Sequence, residues 1–426
     1  AHAPRRTTSH ENWVIFKGVI RMSAAIPKGI LGYAPYKLKQ ISYSKESIEV
    51  NVELERDSRH NHLCSVCNQK ASPERRKERT VKDLLFHGWK TFTKVEYYEV
   101  RCKQCGIRVE HIPFIRPCAR ATKRLEEAVA WLCQHLPLTV VALYFSLNWK
   151  TVKNIDKAYL EHRFEAPGLD NITVIGIDEV SYRKGHKYLT CVFDLNDPHL
   201  IWVGLGKNKE TLSKFFEQLG KERGKRIKAV AIDMSKAYIE GVKEPCPHAL
   251  IVHDKFHLVQ DFNKVMDRIR IDEFKKADEE YKGFFKRTKW LLVMNPLRLK
   301  EDGKMRLSQL LNINMPLNTA YTLGEQLKQR WECVTVAQFN KALDNWCEMA
   351  YESNLKHLMD FADMLKVHRS GLWSYCLYPI NTAILEANNR KVGLIRRKAC
   401  GFHDLKYFIL KIFQADNPLP LPLPVP

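Results

Sequence analysis

The order of apolar and polar residues predicts strands near the start of the chain and helices after them. Residues 23–56 contain short alternating runs, and the run from Ser47 to Leu54 alternates apolar and polar side chains, as a half-buried strand does. Residues 122–163 are predicted to be helical because apolar side chains recur there at helical spacing: Leu125, Val129, Leu132 and Leu136.

A linker at Pro167 and Gly168 separates this part from four apolar runs that predict a sheet. The runs are ITVIGID, KYLTCVFDL, HLIWVGLG and IKAVAID, and a helix is predicted over Lys209–Glu222, between the third and the fourth. This order predicts a mixed sheet covered by helices. Strand signals largely stop after Phe256, and the rest of the chain predicts helices: a mostly helical block over 257–370, then helices containing Asn381–Lys391 and Leu405–Phe413.

Composition and charge narrow the class of protein. A chain of 426 residues with 45% hydrophobic residues has enough apolar material for several packed domains. It carries 69 Lys and Arg against 48 Asp and Glu, a net charge of +21 spread over both halves. Such an excess indicates an extended surface for a polyanion, either nucleic acid or an acidic membrane, although a basic soluble protein without such a partner stays possible.

Two further features bear on the compartment. Ala128–Trp149 carries no formal charge, but Gln134, His135 and Pro137 interrupt it, so two short buried helices around a turn explain it better than a membrane span. Twelve cysteines are too few for a disulfide scaffold, and no signal peptide is visible. We therefore expect the reducing cytoplasm. The final NPLPLPLPVP predicts an extended Pro-rich tail.

Two CxxC pairs predict a structural metal site. Cys64-Ser-Val-Cys67 and Cys102-Lys-Gln-Cys105 each place two thiols on one tight turn, and two such turns complete a tetrahedral zinc site. A hairpin around Thr91–Val100 would bring the pairs together. His62 and His111 flank the site as substitute ligands, and a redox role is disfavoured because redox CxxC motifs normally occur singly.

A helix-turn-helix follows in the pattern. A helix over Leu138–Phe145, a turn at Ser146–Asn148 and a helix from Trp149 fit a DNA-binding arrangement, with a plain helical bundle as the alternative. Val152, Ile155 and Tyr159 are expected to pack inward. The polar side of the last helix supplies the candidate DNA-binding residues, which are Lys150, Lys153, Asn154 and Lys157.

Three carboxylates form a candidate catalytic metal site. Asp178 and Asp233 each end an apolar strand, where a charge needs a compensating ion or donor. Glu386 lies in an apolar helix followed by cations suited to phosphate, namely Arg390, Lys391, Arg396, Arg397 and Lys398. Oxygen ligands of this kind suit Mg²⁺ or Mn²⁺. As alternatives, Asp233 could simply cap a helix, and Glu179 is expected on the opposite face of its strand from Asp178.

Taken together, these motifs resemble the bacterial insertion-sequence transposases of the ISL3 family, from about residue 25 to 414. The most specific segments are VIGIDEVSYRKGHKYLTCVFDL, AVAIDMSKAYIEGVKEPCPHALIVHDKFHLVQDFN and INTAILEANNRKVGLIRRKACGFHDLKYFILKIF. The resemblance implies a ribonuclease-H-like core with an Asp-Asp-Glu triad at Asp178, Asp233 and Glu386, interrupted by an all-helical insertion. Asp254 and His257 match the family's DxxH signature, whereas Ala387 stands where the family usually has Gly.

The resemblance also implies a function. The expected protein is a transposase, and it uses two metal ions to cut and rejoin DNA at the ends of its own element. It would bind the terminal inverted repeats through the zinc module and the helix-turn-helix, as a homodimer or larger assembly next to the bacterial nucleoid, without a membrane partner. His257 would contact the scissile phosphate or support the site. The alternatives are a zinc-dependent DNA-binding regulator that no longer cuts and a structure-specific nuclease. An RNA-binding protein is disfavoured because no aromatic stacking platform is evident.

The predicted fold class is multidomain α+β with seven segments. They are an N-terminal segment (1–56), a zinc module (57–118), a helix-turn-helix (119–166), the first part of the core (170–265), the helical insertion (266–372), the last part of the core (373–414) and the Pro-rich tail (415–426).

Overall fold

The computed structural model describes residues 18–20, 32–164, 168–183, 185–329, 335–399 and 401–422. Parts of the predicted N-terminal segment (1–17 and 21–31) and of the Pro-rich tail (423–426) lie outside the described residues. The chain forms two compact units. The first contains residues up to 165 and from 397 onward, and the second contains residues 166–396.

The strands, in chain order, are β1 (Gly18–Ile20), β2 (Tyr36–Ser44), β3 (Glu49–Arg56), β4 (Ser72–Phe86), β5 (Trp89–Cys102), β6 (Gly106–Val109), β7 (Val174–Arg183), β8 (Lys187–Asp194), β9 (His199–Leu205), β10 (Ala229–Ile232) and β11 (Leu250–His253).

The α-helices, in chain order, are α1 (Lys123–His135), α2 (Leu138–Tyr144), α3 (Trp149–Arg163), α4 (Lys209–Leu219), α5 (Lys221–Gly224), α6 (Lys236–Lys243), α7 (Lys255–Lys276), α8 (Glu279–Phe285), α9 (Lys289–Val293), α10 (Glu301–Ile313), α11 (Met315–Gln329), α12 (Val336–Glu352), α13 (Lys356–Val367), α14 (Arg369–Leu377), α15 (Ala383–Lys398) and α16 (Leu405–Asp416). A 3₁₀ helix spans Pro296–Arg298.

A six-stranded sheet forms one part of the first unit. Its order is β1-β2-β3-β5-β4, with β6 also paired to β5, and β3 runs parallel to β5. A hairpin lies between the CxxC pairs as predicted, formed by β4 and β5, but the predicted range Thr91–Val100 lies entirely within β5. His87 and Gly88 connect them with φ of 50° and 84°, the left-handed conformation that a two-residue hairpin turn requires. Because β3 pairs with β5, the N-terminal segment and the zinc module share one sheet.

The predicted helix-turn-helix is the second part of this unit. Helices α1, α2 and α3 pack around a core that includes Leu125, Val129, Val141 and Val152, and Ile155 packs against it. The uncharged stretch thus forms two short helices around a turn, and no described helix is long and apolar enough to cross a membrane. Helix α16 packs on α1 and α3 through a separate cluster that includes Leu419 of the Pro-rich tail. The predicted last core segment (373–414) is therefore divided between the two units.

The second unit contains the predicted mixed sheet and the predicted helical block. The sheet order is β11-β10-β7-β8-β9, in which β7, β8 and β9 are antiparallel and β10 and β11 run parallel to β7. Four strands were predicted, whereas β11 was missed because its apolar run is short, from Ala249 to Val252, and lies between two histidines. The predicted helix over Lys209–Glu222 is interrupted at Gly220, where φ is 82°. From Lys255 to Leu377 the described residues form helices and no strand, around a core that contains Trp346.

Candidate functional site

The strand register brings three aspartates to the same level of the second unit's sheet. Ala231 of β10 pairs with Gly176 of β7, and Ile232 pairs with His253 of β11. Asp233 and Asp254 directly follow β10 and β11, and Asp178 lies two residues beyond Gly176. Since neighbouring strands lie about 4.8 Å apart, the three residues occupy adjacent positions at the carboxyl edge of the parallel strands.

Asp178 is buried, and both of its carboxylate oxygens accept hydrogen bonds. One carboxylate oxygen accepts a hydrogen bond from the Glu179 backbone N–H at 2.8 Å, and the other accepts one from Asn389 Nδ2 at 2.7 Å. Burial raises the pKa of Asp178 to about 6. The prediction that Asp178 ends its strand is wrong, because β7 continues to Arg183 through antiparallel pairing with β8. The apolar run ends at Asp178 because beyond it only one face of β7 is buried.

Asp233 and Asp254 each accept a hydrogen bond from the backbone just after their strand. Asp233 Oδ1 accepts from the Ser235 N–H at 2.9 Å, but Ser235 is itself the N-cap of α6, so this bond closes a turn before the helix and Asp233 does not cap it. Burial raises the pKa of Asp233. Asp254 caps α7 and accepts from Thr382 Oγ1 at 2.7 Å. Burial opposes ionisation of Asp254, but hydrogen bonds, first of all from His257, hold its pKa below the ordinary value.

His257 supplies positive charge to this edge. Its Nδ1 lies 2.9 Å from Asp254 Oδ2. That hydrogen bond, supported by the charges of Asp178 and Asp233, raises the pKa of His257 to about 9, so the ring is protonated at neutral pH. Lys207, which sequence reasoning missed, lies 3.5 Å from Glu179 Oε1, and its charge opposes the rise in the pKa of Asp233. The site therefore pairs buried carboxylates with two nearby cations.

Helix α15 carries Glu386 and is anchored on both sides of it. Thr382 donates to Asp254, and Asn389 donates to Asp178, one turn after Glu386. The Glu386 side chain is partly exposed and lies 4.0 Å from Arg390 Nη1. Thr382 and Asn389 were both missed; the only signal was that Asn389 follows Glu386 by three residues, which places both on one helix face.

The three predicted catalytic carboxylates do not form a tight cluster. Among the described residues, the four cysteines of the CxxC pairs form the only group of three or more His, Cys, Asp or Glu residues whose potential ligand atoms all lie within 4.8 Å of one another. The structure places Asp178 and Asp233 on neighbouring strands and docks the helix of Glu386 against Asp178. Mutual repulsion of like charges acts against closer approach of the carboxylates.

The basic residues after Glu386 differ in their exposure and in their hydrogen bonds. Arg390 is exposed, whereas Arg396 donates to the Ser181 carbonyl at 2.7 Å. Lys398 donates to the carbonyls of Cys133 and Gln134, and burial lowers its pKa to about 8. Lys391 is half-buried, and Arg397 is exposed. Arg396 and Lys398 thus have structural partners, which the sequence pattern did not indicate.

The four cysteine thiols of the first unit do come together. All their Sγ atoms lie within 4.8 Å of one another, and Cys67 and Cys102 are 3.5 Å apart. Backbone N–H groups of Cys105 and Gln104 lower the pKa of Cys102 to about 7, which favours its thiolate. The residue after each pair, Asn68 or Gly106, has a left-handed backbone that closes the turn.

The two flanking histidines are not part of this cluster. His62 Nδ1 lies 2.7 Å from Glu110 Oε2, and Arg56 donates to the other oxygen of Glu110 at 2.7 Å. Burial lowers the pKa of His111. The cluster therefore consists of four thiols, with His62 held by a carboxylate beside it.

The four polar residues predicted to bind DNA on α3 fall into two pairs. Lys150 and Asn154 are exposed. Lys153 and Lys157 both contact Asp404 Oδ2 at 2.9 Å, and Asp404 caps α16. Next to them, the buried Asp156 accepts from Lys411 at 3.0 Å and from Tyr407. Helix α16 thus covers one side of α3 and leaves Lys150 and Asn154 on the open side.

Comparison with known proteins gives consistent matches. A family model described as a transposase matches residues 175–412, and one described as the helix-turn-helix domain of transposase family ISL3 matches residues 110–160.

Two curated relatives match across most of their length. The chain is 37% identical to the transposase for insertion sequence element IS1001 of Bordetella parapertussis, over 79% of this chain and 84% of that protein. It is 28% identical to the transposase for insertion sequence element IS1557 of Mycobacterium tuberculosis, over 80% and 82%. A solved Drosophila P element transposase strand transfer complex covers 69% of this chain and 91% of its own at 12% identity, with a TM-score of 0.36.

Proposed function

Since this chain belongs to the ISL3 family of transposases, we propose that it binds the terminal inverted repeats of its insertion sequence and catalyses metal-dependent cleavage and strand transfer of DNA. The observation that carries this proposal is the alignment of Asp178, Asp233 and Asp254 across three parallel strands, with the helix of Glu386 docked against them. It supports a ribonuclease-H-like core interrupted by the helical block. The place of action would be the cytoplasm of a bacterial cell, next to the nucleoid.

Asp178, Asp233 and Glu386 would hold Mg²⁺ or Mn²⁺. Their chemistry fits, because all three are carboxylates, and Asp178 is buried and Asp233 half-buried, where an uncompensated charge is costly. Two ions bound there would activate the attacking oxygen and stabilise the leaving oxygen of an in-line displacement. Ligands that share two ions need not all touch one another, so the looser spacing of the three carboxylates is compatible with this role.

The surrounding side chains would orient and balance the carboxylates. Asn389 fixes one oxygen of Asp178, and the backbone N–H of Glu179 fixes the other. The protonated His257 offsets the negative charge of the edge while Asp254 holds its ring. The raised pKa of His257 favours charge compensation over proton transfer, since an acid of pKa near 9 gives up its proton reluctantly at neutral pH.

The thiol cluster would hold a structural zinc ion. Four sulfur ligands at about 2.3 Å from zinc define a tetrahedron with edges of about 3.8 Å. The Cys67–Cys102 separation of 3.5 Å and the 4.8 Å limit on the whole cluster fit that geometry. Zinc there would fix the open end of the β4–β5 hairpin and the start of β6.

DNA binding would use the open side of α3. Lys150 and Asn154 are exposed near the start of α3, where a recognition helix meets base edges and phosphates. Lys153 and Lys157 would reach phosphate only by sharing or leaving Asp404. Pairing two element ends requires a dimer or larger assembly on DNA.

The decisive experiment separates binding from cleavage. Asp178→Asn, Asp233→Asn and Glu386→Gln should retain binding to terminal-repeat DNA but lose Mg²⁺- or Mn²⁺-dependent nicking and strand transfer. Glu222→Gln is the matched control, because it makes the same change in charge at an exposed carboxylate of the same unit, which pairs with Lys225. We expect it to cleave DNA.

Each outcome is informative. Full cleavage by one of the three variants would remove that residue from the triad. Binding without cleavage by the unaltered protein would favour a DNA-binding regulator, and cleavage without strand transfer to a target molecule would favour a nuclease.

A further inference from the structure

The second unit exposes an unusual combination of apolar and cationic side chains outside the carboxylate edge. Residues 279–313, containing α8, α9, the 3₁₀ helix and α10, are called here the α8–α10 surface. Trp290 is 67% exposed and Leu297 is 91% exposed. Five further large apolar side chains of this surface are exposed to a lesser degree: Tyr281, Phe284, Met294, Met305 and Ile313. Exposed apolar groups at this density indicate a binding surface.

These side chains belong to one packed block and do not lie on a loose loop. Phe285, Leu292, Leu299 and Leu307 are buried in the same hydrophobic core. Arg306 donates to the Lys286 carbonyl at 3.0 Å, which ties the segment after α8 to α10. Because the buried residues fix the short helices to one another, the exposed residues are presented on a rigid support.

The charge of the surface favours a polyanion. The α8–α10 surface carries eight Lys or Arg against four Asp or Glu, and six of these cations lie between residues 281 and 300, where no Asp or Glu occurs. Lys282 and Lys289 pair with Glu279 and Asp267. The remaining four cations are exposed and have no ion-pair partner in the part of the chain that the structure describes: Lys286, Arg287, Arg298 and Lys300. A second copy of the same surface is disfavoured, because it would bring like charges together.

We propose that the α8–α10 surface binds a DNA strand with unstacked bases, with cations on its phosphates and Trp290 against a base. Paired duplex DNA hides its base faces, so exposed apolar side chains gain little from it, whereas a separated strand offers both phosphates and aromatic faces. Strand cleavage at element ends leaves free strand ends, which can separate from the complementary strand. The inference therefore rests on the proposed function, although binding itself can be measured without cleavage.

The test measures binding of the full chain to a fluorescent oligothymidylate and to a duplex of unrelated sequence, without divalent metal. Trp290→Ala should weaken oligothymidylate binding at least about fivefold, and Trp290→Phe should restore part of it. Duplex binding should change less than about twofold. Arg298→Ala should lower the salt dependence of oligothymidylate binding by about 0.7 in log–log slope.

Matched controls come from the same unit. Val367→Ala removes another exposed apolar side chain, and Lys341→Ala removes another exposed cation. Both should bind oligothymidylate as the unaltered protein does. Because Trp290 is exposed, its replacement should leave the thermal unfolding temperature unchanged.

Three results would overturn the inference. Trp290→Ala could bind oligothymidylate as the unaltered protein does, or it could lose as much affinity for the duplex as for the single strand. It could also keep its oligothymidylate binding and instead lose self-association or binding to phosphatidylglycerol vesicles. If Trp290→Ala binds the single strand weakly while no variant or condition yields cleavage, the proposed function fails and the surface assignment stands. If cleavage is normal and Trp290→Ala binds normally, only the surface assignment fails.

Discussion

Replacing Asp404 by Asn should strengthen DNA binding. Asp404 has two separable roles: Oδ1 accepts from the Tyr407 N–H and caps α16, while Oδ2 contacts both Lys153 and Lys157 at 2.9 Å. Burial opposes ionisation of Asp404, but the two lysines hold its pKa well below the ordinary value, so it is ionised at any pH used to measure DNA binding. Asn is an equally good cap but carries no charge.

The magnitude follows from the two lysines. Each cation that gains a phosphate of duplex DNA adds about 0.9 to the slope of log affinity against log salt. Release of both Lys153 and Lys157 adds at most about 1.8, which corresponds to about 60-fold tighter binding at 0.1 M salt. The helix should stay formed, since a partly exposed ion pair contributes only about 0–1 kcal/mol.

The assay is titration of terminal-repeat DNA over a range of salt concentrations by fluorescence anisotropy. Asp197→Asn is the control, because it makes the same change in net charge at a carboxylate that is 94% exposed and lies in the other compact unit. An identical slope for Asp404→Asn and the unaltered protein would refute the reasoning. It would mean that Lys153 and Lys157 serve only to hold α16 and that DNA meets α3 elsewhere.

Three further predictions concern zinc retention and folding stability. Cys67→Ser should abolish retention of zinc, measured by metal analysis after dialysis, because three thiols leave the tetrahedral set incomplete. Asp83→Ala should destabilise the first unit by about 3–5 kcal/mol in denaturant unfolding, since it leaves the Arg124 guanidinium without its buried partner; an effect below about 1 kcal/mol would contradict this. Gly371→Ala should lower the thermal unfolding temperature despite the helix preference of Ala, because the new Cβ would lie 2.2 Å from His253 Cδ2.

The order of apolar and polar residues along the chain was enough to locate the strands and helices with strong local signals. Apolar runs located β7 to β10 because these strands contain consecutive buried residues, and helical spacing located α1 to α3 because these helices bury one periodic face. The two CxxC pairs predicted a cluster that the structure forms, since a tight turn brings each pair of thiols together before any tertiary contact is made.

Tertiary structure alone decided how distant groups meet. Nothing near Lys153 and Lys157 in the sequence indicates Asp404, about 250 residues away, and the polar side of α3 looked uniformly free. Likewise, Asn389 reaches Asp178 only because α15 docks on the sheet. Such pairings depend on which faces pack together, and side-chain periodicity along one element carries no information about the element that will cover it.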